Sequence, residues 1–128
     1  MRAIDTNVLV RLLARDDPSQ LAAAEDFIAK GAWVPLLALV ETVWVLGTIY
    51  ARKPAQIALA IDMLLNHQHL VLERGDIVAA ALTHYRGKTK PGFSDCLMLE
   101  IARAAGHLPF AAFDKPLGRL QGAQLLRS

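Results

Sequence analysis

The sequence predicts an α/β fold: a central, mostly parallel sheet of about four to five short strands with helices on both faces. Two observations carry this expectation. Short apolar runs, around Ala3–Ile4, Ala32–Val34, Leu70–Leu72 and Phe110–Phe113, recur along the chain with segments of helical length between them. Strands separated by helices favour crossover connections and parallel pairing. The intervening segments also carry helix punctuation, with Gly31 and Gly106 as stops and Pro54 as a start. At 128 residues the chain fits a single domain over 1–128.

Taken in order, residues 2 to 5 read as the first strand, and Val8 to Leu13 as a turn or short helix ahead of the loop Arg15-Asp16-Asp17-Pro18. Ser19 to Lys30 alternates polar and apolar residues at helical spacing and stops at Gly31, and Ala32–Val34 is the second strand. Pro35 to Tyr50 is a long helix with few polar positions. Pro54 opens another helix, to about His67, and Leu70–Leu72 is the third strand. Asp76 is read as the cap of a helix to Tyr85, and Ser94 as the cap of one ending at Ala105 before Gly106. Phe110–Phe113 is the fourth strand and Gln124–Leu126 a short fifth.

Composition narrows the function classes. With 54% apolar and 20% charged residues the chain is far from the signature of disorder. No apolar run approaches the roughly 20 residues a membrane span needs, and Asp5 interrupts the place where a signal peptide would be hydrophobic. A cytoplasmic protein without a membrane role is expected. The one cysteine, Cys96, forms no internal disulfide and has no partner at zinc-ligand spacing. Net charge is only +2, but Arg86, Lys88 and Lys90 form a basic segment without acids, and Lys115, Arg119 and Arg127 follow the last aspartate. Such a distribution suits local contact with phosphate more than a broad nucleic-acid footprint.

Acids at strand ends are the most informative residues, because ligands of open parallel sheets bind beyond the carboxyl ends of the strands. Asp5 closes the first strand and Asp114 the fourth; each taken alone also reads as a turn residue or a cap. Glu41 has apolar helical neighbours in Leu37, Ala38, Trp44 and Val45, so burial or a position at the edge of an apolar face is expected. There the carboxylate needs an arginine partner or a cation. Asp95 lies at a helix start, where capping is the competing explanation. Glu100, about 140° further around that helix, is assigned to the solvated face near Arg103. Asp16, Asp17, Glu25, Asp26, Asp62 and Glu73 are read as surface charge, and His67, His69, His84 and His107 as surface or helix-end residues. Asp5, Glu41, Asp95 and Asp114 are expected at one rim, where four carboxylates need a cation. Oxygen-only ligands point to magnesium or manganese. Such ions activate water, neutralise phosphate oxygens and stabilise leaving groups, which suggests a phosphodiester substrate. No glycine-rich phosphate loop is present.

The stretches IDTNVLVRLL, VETVWVL, FSDCLMLEIARAAG and AAFDKPLGRL, in this order, resemble the four acidic motifs of PIN-domain ribonucleases, and more narrowly the VapC toxins of bacterial VapBC toxin–antitoxin pairs. The resemblance runs from Ile4 to Leu120. It implies a three-layer α/β/α domain, Mg2+- or Mn2+-dependent endoribonuclease activity on RNA, homodimerisation, and inhibition by a cognate VapB-like antitoxin. Asp5, Glu41, Asp95 and Asp114 match the family's metal-binding and catalytic acids, with Thr6 and Asn7 as the supporting hydroxyl and its companion. One departure is Ala112, where many members carry Thr or Ser two residues before the last acid; a hydroxyl is lost there but no charge.

Around these motifs, Arg86, Lys88, Lys90 and Lys115 are the candidates for RNA backbone contact. The helix around Val40, Val43, Trp44, Leu46 and Ile49 offers more apolar surface than one sheet face covers, divided between core and a dimer or antitoxin interface. An antitoxin would lay an amphipathic segment in an apolar groove. Two other readings stay open: a PIN nuclease of RNA processing or DNA cleavage, and a regulatory RNA-binding module with little turnover.

Overall fold

Strands of two or three residues suffice here because each finds a parallel neighbour. In the computed structural model, which describes residues Met1–Ser128, β1 (Arg2–Ala3) pairs with β2 (Ala32–Val34), Arg2 opposite Ala32 and Ala3 opposite Trp33. β2 pairs with β3 (Leu70–Leu72) in the register Ala32–Leu70, Trp33–Val71 and Val34–Leu72. β4 (Phe110–Ala112) and β5 (Ala123–Leu125) form a second parallel pair, with Phe110 opposite Ala123. Hydrogen bonding thus groups the five strands as three and two. With seven helices between them, the fold is the expected α/β type with parallel strands.

The chain divides into two compact units, Met1–Gly75 and Asp76–Ser128. In the first, α1 (Thr6–Ala14) packs on α2 (Pro18–Ile28) and on α3 (Leu36–Thr48), α3 packs on α4 (Pro54–Leu65), and α4 packs on β3. Leu9, Val34, Leu39 and Ile61 are essentially removed from water, each side chain contributing about 1.5–3 kcal/mol of burial. Asp17 caps α2 by accepting from Gln20 N at 3.0 Å, and Pro18 enters the first turn without a donor to satisfy. After α2 the chain reverses into β2 through Gly31 at φ +92°, a conformation that a side chain would strain. Pro35 cannot cap α3 with its side chain; Glu73, read from the sequence as surface charge, does so instead, accepting from Leu36 N at 2.8 Å.

In the second unit, α5 (beginning at Gly75 and ending at Tyr85), α6 (Phe93–Ala105) and α7 (Lys115–Gly118) accompany β4 and β5, and α7 packs on both strands. Gly106, at φ +83°, ends α6 as expected. The start of α6 differs from expectation: Gly92 is the capping position and Ser94 lies inside the helix. Asp76 likewise falls in the first turn of α5 rather than before it. A second correction concerns Glu100. It is not on a solvated face but only 8% exposed, with Oε2 2.9 Å from His84 Nε2 and accepting from Arg103 Nε at 3.2 Å. Arg103 also donates to the Gln121 carbonyl. The helical angle from Asp95 was right, but it says nothing about which face meets α5. His84, in the last turn of α5 as expected of a helix-end residue, is accordingly half-buried.

Candidate active site

Two groups of acids can be built from the residues upward, one in each unit. In the first, Ile4 extends the β1 ladder by donating to the Trp33 carbonyl at 3.1 Å, and its buried side chain fixes where the strand ends. Asp5 follows at the carboxyl end. Its extended backbone makes it the cap of α1, and Oδ1 accepts from Val8 N at 3.0 Å. The cap orients the carboxylate; its second oxygen takes no protein donor. Thr6 opens α1 and donates from Oγ1 to Glu41 Oε2 at 3.2 Å, so the hydroxyl next to Asp5 ties it to α3. Asn7 is exposed in the same first turn.

Glu41 corrects an expectation. Of the two placements expected, burial or the edge of the apolar face, burial is excluded because Glu41 is exposed, and its partner is a threonine rather than an arginine. Of the apolar neighbours that suggested burial only Ala38 is buried, whereas Leu37 is 67% exposed and Trp44 64%. Helical spacing identified one face of α3 correctly, but the core lies on the face of Ala38, Leu39, Thr42 and Leu46.

In the second unit, Asp95 lies in the first turn of α6 and Asp114 follows β4 by two residues. Asp114 caps α7, a helix the sequence reading did not foresee, by accepting from Leu117 N at 3.0 Å through Oδ2. Burial, and then the negative charge of Asp114, push the Asp95 carboxyl above its ordinary value. Two carboxylates are thus within electrostatic reach of each other with no cation of the protein compensating Asp95. Gly92 leaves room for this arrangement, since a Cβ there would come within 3.2 Å of Asp95 Oδ2. Ala112 stands half-buried in β4, its carbonyl accepting from Leu126 N at 2.7 Å.

No group of three or more His, Cys, Asp or Glu side chains lies close enough to hold a metal ion. What the structure joins are the Glu41–Thr6 link beside Asp5 and the Asp95–Asp114 pair. The donor chemistry nevertheless fits a hard divalent cation. The donors are carboxylate oxygens, and the strain on ionised Asp95 is the kind a cation relieves. Of the basic candidates, Arg86, Lys88 and Lys90 lie exposed between α5 and α6, and Lys115 is exposed at the start of α7.

A further cluster escaped the sequence reading, which took Asp16 as surface charge. Arg11 donates to Asp16 Oδ1 at 3.0 Å, and the Tyr50 hydroxyl donates to Asp16 Oδ2 at 2.8 Å. The Tyr50 bond first, with Arg11 beside it, holds the Asp16 carboxyl below its usual range. Residues 34 and 39 positions apart leave no local pattern by which to find it.

Compared with known families, residues 3–122 match one family model, that of the PIN domain. No curated protein matches the chain.

Proposed function

The chain belongs to the PIN domain family, a nuclease fold whose members are generally metal-dependent, and from this we propose that it is an endoribonuclease toxin of the VapC type. The observation that carries the reading is the placement of the acids. Asp5 and Asp114 each follow the carboxyl end of a parallel strand, Thr6 ties Glu41 to the first, and electrostatics couple Asp95 to the second. These are the four positions at which the motifs resemble those of VapC toxins.

Asp5, Glu41, Asp95 and Asp114 would hold magnesium or manganese. When bound, the ion neutralises phosphodiester oxygens and makes water more acidic. The chain's own residues do the remainder. The cap bond from Val8 N fixes the Asp5 rotamer, and the Thr6 hydroxyl fixes that of Glu41. The bond from Leu117 N sets Asp114, so these three acids are held before substrate arrives. Arg86, Lys88, Lys90 and Lys115 attract the RNA backbone without reading its sequence.

The regulatory half of the proposal rests on two apolar surfaces of the first unit. Leu37, Trp44 and Ile49 are exposed, suiting a homodimer contact along α3. A groove of about 350 Å³, with Leu12, Leu13, Ile28, Met63 and Leu64 in its wall and Arg15 at its edge, suits an amphipathic antitoxin segment.

Purified protein is expected to cleave RNA with Mg2+ or Mn2+ and to stop on chelation. Asp5→Asn should lower the rate by at least about a hundredfold, the scale of losing an oriented metal ligand. Cleavage by that variant at the wild-type rate would refute the mechanism. Growth arrest on expression, relieved by the small protein encoded next to it, tests the toxin role. Activity without arrest would leave a PIN nuclease of RNA processing or DNA cleavage.

A further inference from the structure

A second groove begins at Asp5 itself and runs between α1 and α2. Its volume is about 400 Å³, within the range of small-ligand sites. The lining has two chemical characters. Val8 from α1 and Ala23, Ala24 and Phe27 from α2 make a flat apolar floor. Asn7 from α1 and Gln20 from α2 complete the lining, both exposed and with side-chain amides that take no protein partner. The floor is held firm. Ala24 is buried, and the Arg2 guanidinium sits 3.8 Å from the centre of the Phe27 ring while donating to the Phe27 carbonyl at 3.2 Å. Arg11 closes the end away from Asp5. Six residues on, it lies about 9 Å further along the helix axis, and Asp16 and Tyr50 fix its guanidinium.

We propose that this groove is a nucleobase subsite, holding one unpaired base of the substrate strand next to the phosphodiester presented to Asp5. The inference rests on the nuclease reading above and adds to it where the substrate strand lies. Each part of the lining meets one part of a nucleotide. An apolar floor with an aromatic member accepts the face of a base, a contact open to any sequence. The free amides of Asn7 and Gln20 each offer a donor and an acceptor to a base edge. The guanidinium of Arg11, partly offset by Asp16, adds a donor toward the backbone. A base whose edge meets these amides is not paired along that edge, and one whose face lies on the floor is unstacked on that side. The preferred targets are therefore loops and single-stranded segments, where bases can be splayed out.

The test uses the intact protein in chelator, with AMP and ribose 5-phosphate as probes and nuclear magnetic resonance as the readout, so no activity is required. AMP is expected to shift the side-chain amide signals of Asn7 and Gln20 and the backbone signals of Ala23 and Ala24, and ribose 5-phosphate is not. Ala23→Trp, at an exposed helix position where a large side chain fills the groove without entering the core, should weaken AMP binding at least tenfold. Loss of the amide contacts in Gln20→Ala should weaken it by a smaller factor. Shifts confined to other residues, equal shifts with ribose 5-phosphate, or unchanged binding in Ala23→Trp would each overturn the subsite. RNA cleavage with Mg2+, measured separately on wild-type protein, distinguishes the two claims. Cleavage without a groove response refutes the subsite alone, whereas a groove response without cleavage refutes the nuclease reading and leaves a base-binding site.

Discussion

Asp95 is the residue at which site and stability pull in opposite directions. Its folded-state pKa is raised, so folding disfavours the ionised form. The stability it contributes is present below the unfolded-state value and is lost as pH rises through the folded one. In chelator at neutral pH, Asp95→Asn should therefore raise stability slightly, by no more than about 0.5 kcal/mol at a group only partly buried, and the gain should vanish in acid. The same variant should lose RNA cleavage. A variant less stable than wild type at neutral pH and equally active would contradict both halves. The adjacent Cys96 is affected by the same charge. Burial first, then Asp95, push its thiol up to about 12. In the native state it should resist thiol reagents at pH 8, reacting only in denaturant; rapid native labelling would show that the first turns of α6 open readily.

Among the elements, α6 shows how a helix serves two tasks on different faces. Its first turn presents Asp95, and its third buries Glu100 between His84 of α5 and Arg103, which in turn reaches the Gln121 carbonyl before β5. The buried carboxylate thus joins α5, α6 and the turn into β5. Glu100→Ala removes the acceptor of two charge-assisted bonds and should cost about 1–3 kcal/mol. Urea unfolding measures this, and a loss below about 0.5 kcal/mol would mean that water replaces both bonds at no cost. The α3 helix makes the complementary point. Its face with Ala38, Leu39, Thr42 and Leu46 is core, and the opposite face leaves Leu37 and Trp44 exposed beside Glu41. Hydrophobicity all round a helix does not tell which side a partner covers.

Across the whole molecule, one family model spans residues of both compact units. Binding of a divalent cation to folded protein alone should raise the melting temperature with concentration. The rise should be smaller in Asp95→Asn and in Asp114→Asn than in wild type. Equal stabilisation of all three proteins would place the cation elsewhere. No helix is long and apolar enough to cross a membrane.

Much of this was legible in the sequence because it depends on local rules. The apolar run between Gly31 and Pro35 marked β2, and that between His69 and Glu73 marked β3, both at their observed limits; the helix stop at Gly106 follows from its positive φ, whereas α2 ends at Ile28, ahead of Gly31, which turns the chain into β2. The order of the four acids, with Thr6 and Asn7 after the first, was equally readable, since motif and chain order survive folding. Tertiary structure decided what depends on which faces meet. It turned Glu41 outward and Glu100 inward, set Glu73 over the start of α3, and built the Arg11–Asp16–Tyr50 cluster. Periodicity fixes the angle between two side chains on a helix, but burial and partnership depend on elements far away in sequence, and only packing brings those into contact.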